Sequence, residues 1–468
     1  MIKKLLLALA LAAAVIAGFI FLSPNARRSV ELQAVDAIGD IAARRIQSDS
    51  ENQSGVAAEF INIPIEAREI ADGVFQVSGV GNVQLIATGD GAVLFDTGLV
   101  TQSAKQIEAM NAVAPDVPLT HIILSHSHAD HIGGLRFWDR DGAEIIAHED
   151  FPEEQRYLKE LEPYFWSRNR TLFPFMPEEP PQIGLIAYGG AIPDKLVDED
   201  EPYVFELGGR QFEVIAATGG AEGADNVVLW MPKERILFSG DFFGPLFPQF
   251  PNIFTMRGEK IRRPVEYIDS LNRIIALEPE MIVPSHLTPV KGAEDIKRDL
   301  VKMRDAVKFV HDATVKGMND GKTVEQLMAE IELPPTLALS EQHGRVSWAV
   351  KSIWEYYATW FHFDRTTALY ATPASSVYED IASIAGVSSL IDRAEDYIED
   401  AKPLHALHLL DIAEHKRAPN SRALHARLAA LELLLADAKT GKKNSYEIYW
   451  LNARIRKSKQ KLAEAGAG

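Results

Sequence analysis

The stretch Thr120-His121-Ile122-Ile123-Leu124-Ser125-His126-Ser127-His128-Ala129-Asp130-His131-Ile132-Gly133-Gly134 constrains the fold more than any other part of the chain. The apolar run Ile122 to Leu124 stops abruptly, and three histidines and an aspartate follow within six residues. This pattern predicts a buried strand that delivers its C-terminal loop into a site. The pair Gly133-Gly134 is expected to turn the backbone sharply, with a helix starting near Leu135. His126 and His128 stand two apart, so on extended backbone both can reach one metal ion. Asp130 and His131 fall past the turn and address a second, adjacent position. A lone histidine reads as structural, whereas four metal-binding side chains at this spacing read as a metal site.

Composition restricts how such a site is built. There is no cysteine, so the ligands are nitrogen and oxygen, and disulfides and thiolate chemistry are excluded. The formal charge of −18 excludes a general nucleic-acid binder. It leaves room for an anionic small-molecule substrate, because bound metal and a local arginine dominate the field in a cleft. A chain of 468 residues exceeds what one core supports, so more than one domain is expected. At the N-terminus, Lys3-Lys4 precede an uncharged apolar run from Leu5 to Leu22. Residues 1–26 are therefore expected to direct export, as a cleaved signal peptide or an uncleaved membrane anchor that leaves the protein periplasmic or otherwise extracytoplasmic. Residues 27–58 read as a helix or loose linker.

From residue 59 to 297 the pattern is α/β. Val83 to Thr88 and Ala92 to Phe95 are strands joined by the turn Gly89-Asp90-Gly91. The second strand ends at Asp96-Thr97-Gly98, and a helix follows at Thr101 to Ala112. Glu144 to Ala147 is a short strand ending at His148, which reads as structural. The stretch 150–200 is rich in proline and aromatic residues and too long for a plain connection, so it is expected to supply a lid or an apolar substrate wall. Further strands are Phe212 to Ala216, Val227 to Trp230 and Arg235 to Phe238. The last of these runs on to Asp241 through Ser239-Gly240, and one further strand, Met281 to Ser285, ends at His286, so both end on ligand-type residues.

The motif H-x-H-x-D-H after a strand, with its glycine pair, resembles the first metal motif of the metallo-β-lactamase superfamily. That resemblance implies an αββα sandwich with a two-metal hydrolytic site, usually zinc, with iron or manganese as alternatives. It also implies that Asp96 orients a ligand rather than binding metal, that Asp241 bridges the metals, and that His286 is the last ligand. The superfamily's Gly-His-Thr segment is replaced here by Thr218-Gly219-Gly220-Ala221-Glu222-Gly223-Ala224-Asp225. The alkyl sulfatase subfamily uses a glutamate at that place, and Glu222 lies nineteen residues before Asp241, with Asp225 as its rival. Asn252 to Gly258 is similar to that subfamily's sulfate-contacting segment, with Asn252 and Arg257 as the contacts. Tyr188 to Pro193 is similar to a segment on its substrate side. Departures are Asp241 where a glutamate is typical, and a sequence that ends without the sterol-carrier-like domain of those sulfatases.

Past residue 298 helical periodicity replaces strands as far as about 460. Gly344 to Trp348 and the aromatic residues to Phe361 resemble the alkyl sulfatase dimerisation region, which implies a homodimer. Residues 381–437 read as stacked, tetratricopeptide-like helix pairs. His405, His408, His415 and His425 belong to that packing.

These readings combine into one expectation: an exported hydrolase with two zinc ions per chain. The first is held by His126, His128 and Glu222, the second by Asp130, His131 and His286, with Asp241 bridging. Asp130 and Asp241 are the groups closest to the chemistry, in which a metal pair lowers the pKa of water towards ~7. The expected substrate is an alkyl sulfate ester, held through Asn252, Arg257 and Tyr188. The alternatives are another ester, lactone, lactam or phosphoester on the same site, or a catalytically weak scaffold that binds partners.

Overall fold

The computed structural model describes residues 24–48, 63–174, 176–179, 190–253 and 255–466. The apolar run Leu5 to Leu22 and Tyr188 lie outside them. No helix among the described residues is long and apolar enough to cross a membrane.

Two sheets stack face to face. The first holds seven strands in chain order: β1 (Ala67–Ala71), β2 (Val74–Val77), β3 (Val83–Thr88), β4 (Gly91–Phe95), β5 (Leu119–Ile123), β6 (Glu144–His148) and β7 (Lys195–Val197). It is antiparallel through β4 and parallel from β4 to β7. The second runs β13 (Val290–Lys291), β12 (Met281–Pro284), β11 (Ile236–Gly240), β10 (Val227–Met231), β9 (Arg210–Ala216), β8 (Tyr203–Leu207). Their facing sides are apolar and interdigitate: Val93, Phe95, Ile123 and Ile146 from one meet Val214, Leu229, Phe238 and Val283 from the other, all fully buried. Central strands buried on both faces read as unbroken apolar runs, as β10 (VVLWM) does.

Helices cover both outer faces. On the first sheet lie α1 (Pro24–Ser48), α2 (Ser103–Val113) and the single turn α3 (Ala129–Ile132). The second is covered by α6 (Pro264–Leu277), α7 (Ala293–Asn319), α8 (Val324–Glu330) and α9 (Val346–Ala358), which share one core with Phe242, Phe250 and Ile253. The expected αββα sandwich is thus the observed architecture. The stretch 150–200, expected as a lid or wall, opens with two regular helices, α4 (Phe151–Glu160) and α5 (Glu162–Leu172).

The remaining helices form the second, all-α unit: α10 (Tyr378–Ala385), α11 (Val387–Glu399), α12 (Pro403–Glu414), α13 (Ser421–Thr440) and α14 (Ser445–Gly466). α11 to α13 stack around Leu390, Ala394, Ala406, Leu410 and Ala430. Alanine at these contacts lets the helix axes approach closely. α14 folds back against α13 and reaches the first domain, where Tyr446 and Tyr449 close on Leu172 of α5.

Candidate metal centre and anion seat

The site forms where β4, β5, β11 and β12 end along one edge of the sandwich. Its hub is Asp96, fully buried and held at φ 59°, a left-handed backbone that costs a non-glycine residue about 1 kcal/mol or more. Four hydrogen bonds offset that strain. Oδ1 accepts from the Ser125 amide at 2.8 Å. Oδ2 accepts from Ser125 Oγ at 2.8 Å, Ser285 Oγ at 2.7 Å and His131 Nδ1 at 2.9 Å. One carboxylate therefore ties the ends of β4, β5 and β12 together and fixes the His131 tautomer, with Nε2 turned inward.

The helix expected near Leu135 starts earlier, at Ala129, and is one turn long. The glycine pair after it also has a different purpose. Gly133 has an ordinary φ of −61°. What excludes side chains there is close approach, since a Cβ on Gly134 would collide with the Thr97 carbonyl and one on Gly133 with the Ala129 carbonyl. The short turn can then press against the 97–100 loop, aiming Asp130 and His131 at the strand ends.

Six of the seven expected ligands meet. His126 Nε2 lies 2.9 Å from His128 Nδ1. Two nitrogens on one tetrahedral ion with bonds of about 2.0–2.1 Å stand about 3.3 Å apart, so this pair is close to ligand geometry. Ligand atoms of His126, His131 and Asp241 lie within 4.8 Å of one another, as do those of Asp130, His131 and His286. His286 Nε2 is 3.0 Å from Asp241 Oδ2 and 3.7 Å from Asp130 Oδ2. Among the described residues His131 Nε2 and Asp241 Oδ1 are buried without a hydrogen-bond partner, a costly state that a cation relieves. Burial opposes charge on His131, yet Asp130, Asp241 and Asp96 outweigh it and hold its pKa well above the ordinary value. For Asp241, burial is likewise outweighed, by His286 and His131, and the carboxyl is held well below the usual range. Imidazole nitrogens and carboxylates in this arrangement fit a divalent ion such as zinc.

Glu222 stands apart from both groups. Its Oε1 meets His343 Nε2 at 2.6 Å, while Oε2 meets Arg257 Nη2 at 2.8 Å and Arg262 Nη2 at 3.5 Å. Burial would neutralise it, but Arg262, His343 and Arg257 together hold its pKa well below normal. Arg262 further donates to the backbone carbonyls of Ala221 and Asn252, locking the Glu222 loop to the Asn252 segment. Glu259 links this cluster to the metal ligands: Oε1 is 3.5 Å from His128 Nε2 and 3.5 Å from Arg257 Nη2. Burial works against its charge, and Arg257 and His128 overcome it to set the pKa at about 2.

Arg257 is partly exposed at 21%, and its Nε has no partner among the described residues. The side-chain amide of Asn252 is buried and likewise has no partner among the described residues. Both retain hydrogen-bonding capacity for an anion. Asp225 is buried, and burial, with Glu154 nearby, pushes its pKa up to about 7. His148 is occupied structurally, through Thr218 Oγ1 at 3.1 Å and the Asp150 amide at 3.0 Å. Reading the sequence missed His343, Glu259, Arg262 and Tyr446. Only the arginine and glutamate lay close enough to Arg257 along the chain to have been flagged.

The metallo-beta-lactamase superfamily profile matches residues 78–286, and the alkyl sulfatase dimerisation profile matches residues 323–455. A linear primary-alkylsulfatase of Pseudomonas sp. is 27% identical over 347 residues, covering 67% of this chain and 62% of its own length. The alkyl/aryl-sulfatase BDS1 of Saccharomyces cerevisiae is 23% identical over 353 residues, covering 70% and 54%. The chain therefore spans somewhat over half the length of these curated relatives. The solved stereoselective inverting sec-alkylsulfatase Pisa1 from Pseudomonas sp. superposes with a TM-score of 0.71 over 85% of this chain and 67% of that one, at 18% identity. Residues 78–286, which carry the strand-end histidines and carboxylates, accordingly form a metallo-β-lactamase superfamily domain, and residues 323–455, from α8 into α14, an alkyl sulfatase dimerisation domain.

Proposed function

We propose that this chain is a metal-dependent hydrolase of alkyl sulfate esters, releasing sulfate and an alcohol. The observation that carries the reading is the junction of two features through Glu259: a buried imidazole–carboxylate cluster, and an arginine whose Nε has no hydrogen-bond partner among the described residues. In this reading His126, His128 and Asp241 would hold one zinc ion, and Asp130, His131 and His286 would hold a second beside it. Metal bound there supplies Lewis acidity and lowers the pKa of water. Asp96 keeps His131 in register, and Glu259 does the same for His128. Arg257 and Asn252 hold the sulfate, the arginine by its planar fork and the asparagine by its amide.

The test is metal analysis together with hydrolysis of a medium-chain alkyl sulfate by the wild type and Arg257→Ala. The variant is expected to keep its metal and lose at least about tenfold in kcat/KM, the scale of a charge-assisted hydrogen bond. A metal-replete wild type inactive on all sulfate esters overturns the proposal. Hydrolysis in labelled water assigns the broken bond, since label in the alcohol means C–O cleavage and label in sulfate means S–O cleavage. Homodimerisation through the helical unit and export through the N-terminal run belong to the same proposal. The first is supported by the exposed side chains Trp360, Phe363 and Tyr370, the second by Lys3-Lys4 before Leu5 to Leu22.

A further inference from the structure

A cavity of about 1170 Å³ lies beside the metal centre. Ala129, next to Asp130, and Arg257 line it, as do residues of α1, α2 and α5. Its position follows from how α1 is seated. Leu32 and Val35 pack against Val100 and Phe137. Gly39 lies flat on the following turn, where a Cβ would strike the Thr101 carbonyl. Ion pairs from Glu31 to Arg136 and from Asp40 to Lys105 fix the helix along its length.

That seating leaves a second stripe of α1 unpacked. Ile38, Ile41 and Ala42, spaced to share one helix face, line the cavity, and Ile41 is 48% exposed. Ala112 of α2, Trp166 of α5 and Phe173 just past its end supply other parts of the lining. Charged residues in the lining are Asp40 and Lys105, which bind each other, Arg45 at the end of the same stripe of α1, Glu108 of α2, and Arg257. The space exceeds the roughly 300–1,000 Å³ of an ordinary ligand pocket. Among the described lining residues Arg257 links it to the anion seat.

We propose that this cavity takes the apolar tail of a long straight-chain ester whose sulfate sits on Arg257, with α1 as one wall. The inference rests on the hydrolase reading and adds to it the length of the substrate and a binding role for the N-terminal helix. Burying a methylene strengthens binding up to about fourfold, and roughly twofold in a half-open groove.

The test is kcat/KM over a series from butyl to dodecyl sulfate, with metal-loaded full-length wild type, Ile41→Asp and Ala112→Asp. The wild type is expected to gain about two- to fourfold per methylene. The ratio of dodecyl to butyl is expected to fall about tenfold or more in each variant, since a carboxylate facing the tail must be desolvated. Equal slopes in the wild type and a folded variant overturn the inference. Should the wild type turn over no sulfate ester, the hydrolase reading fails by itself. The cavity is then judged by calorimetric binding of butanoate to dodecanoate: affinity rising with length in the wild type but not in the variants upholds it, and length-independent affinity overturns it.

Discussion

His343 Nε2 lies 2.6 Å from Glu222 Oε1, joining a residue just ahead of α9 to the loop between β9 and β10. Both side chains are buried, and the Tyr446 ring stands 5.2 Å from His343 and 5.9 Å beneath the Arg257 guanidinium. The helical unit thus contributes Tyr446 to the surroundings of the anion seat, and the segment leading into α9 contributes His343. Removing one partner from a buried, fully engaged network costs about 1–3 kcal/mol, because the other is left desolvated. His343→Ala is therefore expected to raise KM for sulfate esters about tenfold at unchanged metal content, while Glu222→Gln also keeps its metal. Loss of one metal equivalent in Glu222→Gln would return Glu222 to the first metal position.

Asp225 makes the opposite prediction to an ion-paired carboxylate such as Asp241. Its pKa in the folded chain is about 7, raised chiefly by burial from an ordinary 3.8. The folded state therefore binds this proton more tightly than the unfolded state, and stability falls as pH rises from about 4 to 7. Asp225→Asn removes the titration. In metal-free protein the variant is expected to unfold at higher urea than the wild type at pH 8, by up to roughly 4 kcal/mol, with the gap closing near pH 4. Urea melts of both proteins at the two pH values check this, and a gap independent of pH refutes it.

What the sequence disclosed tracks how local the cause is. His126, His128, Asp130 and His131 are legible because one strand end and one helical turn present them, and spacing encodes direction. Asp241 and His286 are legible because each follows an apolar strand. The partners of Glu222 are not, since His343 lies 121 residues away and no periodicity links the two. Gly133 and Gly134 look the same in sequence whether a glycine serves a left-handed turn or a close approach, and only coordinates separate the two. In 150–200, proline density concealed α4 and α5 because each carries its proline in the first turn, where the missing amide is harmless.

The surface near α9 bears on assembly. Trp360, Phe363 and Tyr370 are 72%, 89% and 68% exposed within a few residues of one another in sequence. Large aromatic side chains grouped in this way mark an interaction surface more often than a solvated one. Trp360→Asp with Phe363→Asp is expected to convert a dimer to a monomer by light scattering, without altering the far-ultraviolet circular dichroism. A wild type that is already monomeric at micromolar concentration removes the dimer from the proposal.

Asp96→Asn isolates the carboxylate from the backbone strain at the hub. Asparagine tolerates left-handed φ nearly as well as aspartate, so the strand end keeps its course. Its amide has one acceptor oxygen where the carboxylate offers two, and three of the four bonds at Asp96 converge on Oδ2. His131 then loses a charged partner for Nδ1, and its Nε2 is no longer held toward Asp241 and Asp130. Weakened orientation of this kind lowers metal affinity about 10–100-fold. Chelator competition is expected to register that loss, accompanied by a fall in unfolding free energy of about 1–3 kcal/mol in the metal-free protein. Asp96→Ala is expected to cost about 1 kcal/mol more than Asp96→Asn, because alanine adds the backbone strain to the lost hydrogen bonds. If the asparagine variant binds metal as tightly as the wild type, Asp96 joins the strands but does not orient His131.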